Sequence, residues 1–255
     1  MKAKDTVVNC ANQLCGVMVM YLGWRGKIGL IMPGNGTNPE CDFHRYAPEG
    51  VAVMTQRVLF ERVDPAGLSE MGSRVDVAAR LLATGSPDVI MFGCTSGSLI
   101  KGFGYDQELV RRIEDATGIR AMTTSSAVIQ ALKALGARRL VVSTPYIDEV
   151  NRIEQKFLED NGFEVLKIKG LQNLDPNQMP HTPLSQMYHL TREVLSPGAD
   201  TVFISCTGLG VAHGIRMMER DFGLPVVTSN QASLWGALRA VSVRDDVGLG
   251  KLFTL

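Results

Sequence analysis

Histidine is scarce in this chain, aromatic side chains make up only 6% of it, and no net charge remains, because 26 Lys and Arg balance 26 Asp and Glu. The balance excludes the basic face that a phosphate backbone requires, so nucleic acid is not an expected partner. The four histidines, His44, His181, His189 and His213, are widely separated and lack the helical i, i+4 pairing of a metal site. No GxGxxG follows a strand and opens a helix, and Gly102-Phe-Gly104 does not replace one. No cofactor, whether nucleotide, flavin or metal, is therefore expected. Five cysteines without a CxxC pair exclude complete internal pairing and read as reduced thiols in the cytoplasm. Long apolar runs are missing too: Leu14–Trp24 is too short to span a bilayer and has no small-residue cleavage site, so no membrane partner is expected. Residues 1–25 read as an N-terminal extension packing on the body or on a partner, with Met18 and Met20 as alternative starts.

What the chain does have is glycine, 26 residues of it, and short Val/Ile/Met-rich runs alternating with helical patterns. That alternation predicts an α/β fold with parallel strands buried on both faces. A length of 255 residues allows one large domain or two small ones. A repeat decides for two. Asp88-Val-Ile-Met-Phe-Gly-Cys94-Thr95 returns as Asp200-Thr-Val-Phe-Ile-Ser-Cys206-Thr207, and 88 to 200 and 94 to 206 are both offsets of 112. Pro33 and Pro145 share that offset, as do Gly102 and Gly214. Gly118–Thr124 matches Gly223–Ser229 at 105, so the second copy is seven residues shorter there. The reading is two similar doubly wound parallel-sheet domains related by pseudo-two-fold duplication, with the active site in the cleft between them. The first covers 26–136, completed by 230–255, and the second covers 137–229.

In the first copy, strands are predicted near Lys27–Met32, Val51–Leu59, Val89–Phe92 and Arg120–Thr123, and helices over about Pro65–Thr84, Gln107–Thr117 and Ser125–Leu135. In the second, strands fall at Leu140–Ser143, Phe163–Ile168, Thr201–Ile204 and Pro225–Thr228, with helices near Asp148–Asn161, Leu184–Leu195, Ala212–Asp221 and Ala232–Val241. The last helix should cross back to the first domain. Gly170–Pro183 reads as a loop over a site. Ligands of doubly wound sheets bind outside the carboxyl ends of the strands, where both cysteines and both prolines sit.

Each cysteine precedes short hydroxyl and glycine residues where a strand turns toward a helix: Cys94-Thr95-Ser96-Gly97 and Cys206-Thr207-Gly208. Free N–H groups there, with the Thr95, Ser96 and Thr207 hydroxyls, suit a carboxylate and the extra charge of an enediolate. The same setting is expected to lower the thiol pKa. One thiolate would then remove an α-proton while the facing thiol returns one. A lone cysteine is more often a packed small hydrophobe, and Cys10, Cys15 and Cys41 keep that reading. Two at matching strand ends reverse it. Asn35, in the loop Pro33-Gly-Asn-Gly-Thr-Asn, divides evenly between turn residue and ligand contact. Tyr146, after Pro145, divides evenly between packing and carboxylate donor.

At these residues the chain resembles the cofactor-independent aspartate/glutamate racemase superfamily, and within it the arylmalonate decarboxylase and maleate cis-trans isomerase branch. The likeness covers roughly Lys27 to the C-terminus and is strongest at Asp88–Gly102, Thr123–Gly136, Tyr146–Asn151 and Ser205–Gly208. It implies two α/β domains around the site and a dioxyanion hole from Thr95, Ser96, Tyr146 and the Cys206-Thr207-Gly208 backbone. The departures choose within the branch. Decarboxylases of this kind have glycine where this chain has Cys94, whereas racemases and maleate isomerases carry both cysteines. Ser96 stands where many glutamate racemases have histidine. Gly36 stands where maleate isomerases have a substrate-contacting asparagine, with Asn35 and Asn38 beside it.

The expectation is a cytoplasmic, cofactor-independent two-cysteine isomerase, a racemase or cis-trans isomerase, of a small carboxylic or dicarboxylic acid. Cys94 and Cys206 are catalytic, and Thr95, Ser96, Tyr146, Thr207, Gly208 and Asn35 bind carboxylate. Arylmalonate-type decarboxylation is the alternative, and a non-catalytic carboxylate-binding module a third reading. Arg57 or Arg62 would serve a second carboxylate, and Phe60, Val63 and the 170–183 loop the pocket wall. A homo-oligomer is compatible with the sequence.

Overall fold

The computed structural model describes residues 21–255, so Cys10, Cys15 and most of the expected N-terminal extension lie outside the described residues. Runs rich in β-branched and aliphatic residues form β1 (Gly26–Pro33), β2 (Val51–Val58), β3 (Val89–Phe92) and β4 (Ala121–Thr123), all parallel, in the order β2-β1-β3-β4. Their counterparts β5 (Arg139–Thr144), β6 (Glu164–Gly170), β7 (Thr201–Ile204) and β8 (Val226–Thr228) repeat that order as β6-β5-β7-β8. The sequence repeat becomes strand register. Ile28 faces Val89 and Leu140 faces Thr201, both members moved by 112, and the Ile90–Ala121 pair returns as Val202–Val226, its first member moved by 112 and its second by 105.

The helices of the first half are α1 (Asn38–Tyr46), α2 (Pro65–Ser73), α3 (Val75–Ala83), α4 (Thr95–Leu99), α5 (Tyr105–Thr117) and α6 (Thr124–Ala134). Those of the second are α7 (Asp148–Asp160), α8 (Leu184–Val194), α9 (Ile215–Phe222) and α10 (Ser229–Ala240). The single helix expected over Pro65–Thr84 is two, broken at Arg74, whose φ of −95° and ψ of 0° lie outside the helical well. Helix α1 was not anticipated, although Asn38-Pro39 followed by Glu40 carries a helix-start signal, with the proline in the first turn.

Helices α6 and α10 pack on each other between the sheets. Thr123 and Thr228, 105 apart, each close a capping box with the residue three positions on, Ser126 and Gln231. The Ser233 hydroxyl donates to Thr124 Oγ1 at 2.9 Å, and a Cβ on Gly236 would stand 3.1 Å from Ala127 Cβ, so the two helices approach closely. Helix α10 crosses back onto β1, β3 and β4, as expected. It begins three residues earlier than its apolar pattern suggests, because its polar first turn Ser229-Asn-Gln is buried between the halves. Among the described residues no helix is long and apolar enough to cross a membrane.

Candidate active site

Both strand-end cysteines open onto one recess. About 410 Å³ there is free of atoms, and the lining includes Cys94 and Ser96 from the first copy and Tyr146, Cys206, Thr207 and Gly208 from the second. The two thiols are reached differently. Cys94 leaves β3 in extended geometry and caps α4, with φ of −147°. Cys206 has φ of +112°, a conformation that side chains other than hydrogen rarely adopt. Backbone strain is thus stored at one of the two equivalent positions.

The thiol environments differ in the same sense. The Cys206 sulfur accepts the Gly208 N–H at 3.3 Å, and the Tyr146 hydroxyl and Leu209 N–H also favour its ionised form. Cys94 has the Gly97 N–H and the Ser96 hydroxyl. Against the expectation of lowered values, burial pushes the Cys94 thiol up to about 12 and the Cys206 thiol up to about 11. The reason is desolvation: both thiols are buried, no lysine, arginine or histidine among the described residues lines the recess, and a few N–H dipoles do not replace lost hydration. Cys206, with more donors, is the easier of the two to ionise.

Ser96, Tyr146, Thr207, Gly208 and Asn35 line the recess, and Phe60, Val63 and the 170–183 loop complete its wall through Pro176, Met179 and Pro180. Thr95 is not brought there. Its hydroxyl donates to Ser229 Oγ at 2.8 Å, and the same Ser229 oxygen receives the Cys206 N–H at 3.0 Å. Thr207, the counterpart of Thr95, donates to the Gly93 carbonyl at 3.3 Å. The repeated threonines are therefore struts that tie each cysteine turn to the opposite copy, which a motif read along one strand does not reveal.

Neither arginine considered for a second carboxylate lines the recess. Arg57 donates to the Gly34 and Gly36 carbonyls at 2.9 and 2.7 Å and pairs with Glu40, pinning the loop that carries Asn35. Arg62 is exposed and pairs with Asp64. Cys41, expected to be packed, is exposed, because α1 buries its Pro39 and Phe43 face and Cys41 points away. All four histidines are exposed. Sequence reasoning named Asn38 beside Gly36 but missed its contact: its side-chain amide donates to the Gly208 carbonyl at 2.7 Å and links the first-copy loop to the second cysteine turn. It also missed Glu154, fully buried on α7, whose carboxylate accepts the Ser205 hydroxyl. Its signal was a carboxylate at helical spacing from Val150, Phe157 and Leu158, on a buried face that also carries Asn151.

Duplicated parallel sheets with one thiol from each half facing a small recess define the class: a two-domain α/β protein with a cleft site built from both copies. The chain belongs to the arylmalonate decarboxylase family, whose family model matches residues 28–253. It is 30% identical to arylmalonate decarboxylase of Bordetella bronchiseptica over 231 residues, covering 89% of this chain and 95% of that one. It is 25% identical to maleate isomerase of Nocardia farcinica over 237 residues, covering 89% and 94%. A solved structure of the N. farcinica maleate cis-trans isomerase, a cysteine-to-serine mutant with a covalently bound succinylcysteine intermediate, superposes with a TM-score of 0.86 at 21% identity, covering 89% of this chain and 98% of that one. An arylmalonate decarboxylase mutant in which one glycine became cysteine and one cysteine serine, in liganded form, gives 0.84 at 29%, covering 89% and 98%.

Proposed function

We propose that this protein is a cofactor-independent isomerase in which Cys94 and Cys206 work as a pair on a small carboxylic acid. The observation that carries the proposal is that both strand-end thiols line one recess. The recess has a polar end, formed by Ser96, Tyr146, Thr207 and Gly208, and an apolar wall of Pro33, Pro39, Phe60, Val63 and Met179. With no cation among the described residues that line it, a single carboxylate bearing an apolar substituent matches it better than a diacid does. Racemisation at the α-carbon follows. The Cys206 thiolate takes the α-proton, the C–H pair flows into the carboxylate to give an enediolate, and the Cys94 thiol protonates the opposite face. The net change is inversion, with one proton moved from Cys94 to Cys206 and restored before the next turnover. Ser96, the Tyr146 hydroxyl and the N–H groups of Thr207 and Gly208 hold the developing charge, and Asn35 closes the polar end. The family's maleate isomerases support thiol chemistry through the succinylcysteine adduct seen in one of them.

The domain boundaries 26–136 with 230–255, and 137–229, are proposed on the same footing, supported by α10 packing on the first sheet. Decarboxylation remains the second reading because the family model and a 30% identical relative carry that description. Proton NMR in deuterium oxide with α-aryl and α-alkyl carboxylic acids separates the two. α-Deuterium exchange that disappears in Cys94→Gly and in Cys206→Ser supports the two-thiol isomerase. Carbon dioxide release from a disubstituted malonate by the unaltered protein, with no exchange in any acid tested, overturns it.

A further inference from the structure

Glu154 is a carboxyl group in an unusual place. It is fully buried, one oxygen accepts the Ser205 hydroxyl, and the other has no hydrogen-bond partner. Among the described residues no salt bridge reaches it. The other charged residues of α7, Asp148, Glu149, Arg152, Lys156, Glu159 and Asp160, are all exposed, and Lys156 pairs with Asp160. From β6, packed against α7, Glu164, Lys167 and Lys169 are exposed, and both lysines bond to Glu193. Helix α4, which also contacts α7, has no titratable side chain. The titratable groups on the buried side are the Tyr146 hydroxyl and the Cys206 thiol, which a charge on Glu154 disfavours in their ionised forms, and then Cys94, which interacts with both.

Ser205, the residue holding Glu154, is the chain neighbour of Cys206. Two negative charges this close in a dry interior do not form together. We propose that Glu154 is a positioning residue for the thiol pair: as a neutral acid it permits a thiolate at Cys206, and as a carboxylate it makes Cys206 hold its proton. Nothing in the recess lining supplies this control, and Glu154 itself does not line the recess. Burial raises the Glu154 carboxyl to about 7, so the change of state falls near neutral pH. The proposal deepens the two-thiol reading, since control of a thiol has catalytic meaning only if the thiol reacts.

The test needs no substrate. The rate of Cys206 alkylation by iodoacetamide is followed by peptide-resolved mass spectrometry between pH 5 and 10. With Glu154 in place, the logarithm of the rate rises with unit slope, bends toward a plateau near pH 7 as the carboxylate forms, and rises again at higher pH. In Glu154→Gln the bend vanishes, and at pH 9 Cys206 reacts about tenfold faster or more, the factor belonging to each unit of pKa difference. Ser205→Ala keeps the acid but removes the hydroxyl that favours its ionised form, so its bend moves to higher pH. A profile without a bend in the unaltered protein, or a bend that persists in folded Glu154→Gln, overturns the proposal. If that variant does not fold, a bend left unmoved by Ser205→Ala does the same. Loss of the isomerase reading would show separately, as absent deuterium exchange beside an intact bend.

Discussion

The backbone difference between the two cysteines can be measured through stability. Cys94 and Cys206 are both buried, with exposures of 4% and 8%, so truncating either to glycine removes a similar area from the interior, worth on the order of 1–2 kcal/mol. Glycine adds about 0.5–1 kcal/mol of backbone entropy cost at each. Only Cys206 has positive φ, and a side chain held there costs about 1–3 kcal/mol that glycine does not incur. Cys94→Gly should therefore destabilise by about 1.5–3 kcal/mol, and Cys206→Gly by roughly 1–3 kcal/mol less. Alanine sharpens the comparison because it keeps the Cβ. At position 94 alanine should be more stable than glycine, the usual order, and at 206 the order should invert. Equilibrium urea unfolding under reducing conditions reads these differences as midpoint shifts at constant m, or as several degrees of Tm. Alanine exceeding glycine by the same margin at both positions would refute the argument.

Gly170→Ala places a Cβ 2.0 Å from the Tyr146 carbonyl and 2.6 Å from Asn151 Nδ2, so we expect a loss of about 1–3 kcal/mol in urea unfolding together with a fall in kcat as Tyr146 is displaced. Arg57→Met frees the Gly34 and Gly36 carbonyls and the Asn35 loop; steady-state kinetics should show KM rising several-fold, while stability changes by less than about 1 kcal/mol because the Glu40 pair is partly exposed. Burial of Glu154 also makes stability depend on pH. With a folded pKa of about 7 against an ordinary 4.5, the native state binds the proton more tightly, so this group's stabilisation is fully present below pH 4.5 and is lost as pH rises through 7. Unfolding free energies of the unaltered protein and Glu154→Gln should diverge by up to about 3 kcal/mol in favour of the variant between pH 4.5 and 8, and parallel curves would contradict the assignment.

The parallel-sheet plan was legible in the chain because a strand buried on both faces is a continuous apolar run, and the offsets of 112 and 105 locate both copies down to residue register. The gathering of Cys94, Ser96, Tyr146, Cys206, Thr207 and Gly208 around one recess was legible for the same reason, since equivalent strand ends in a duplicated fold meet at one cleft. What escaped were contacts made across the cleft. Thr95 has the residue type of a carboxylate donor, but its hydroxyl is held by Ser229, 134 positions away. Asn38 stands in the sequence beside the position of a substrate-contacting asparagine, yet it opens α1 and reaches Gly208. The thiol pKa values went the opposite way because a motif shows the N–H dipoles nearby and not how much water has been removed.

Duplication supplies two thiols at equivalent positions, but equivalent thiols are a poor acid–base pair, since one must hold a proton while the other lacks it. Three features break the symmetry, and all act at Cys206. Its strained turn directs the Gly208 and Leu209 N–H groups at the sulfur, Tyr146 supplies a hydroxyl, and Glu154 lies behind this cysteine and has no counterpart among the causes acting on Cys94. The first two make the Cys206 thiolate easier to form, and the third makes its formation depend on a buried proton. In the proposed mechanism Cys94, with fewer donors, is left as the acid. An isomerase that must return to its starting protonation state after each turnover requires such a difference. If Glu154 sets it, the forward and reverse reactions of the same acid should respond differently to Glu154→Gln in their separate kcat and KM values, while their ratio, fixed by the equilibrium constant, stays unchanged.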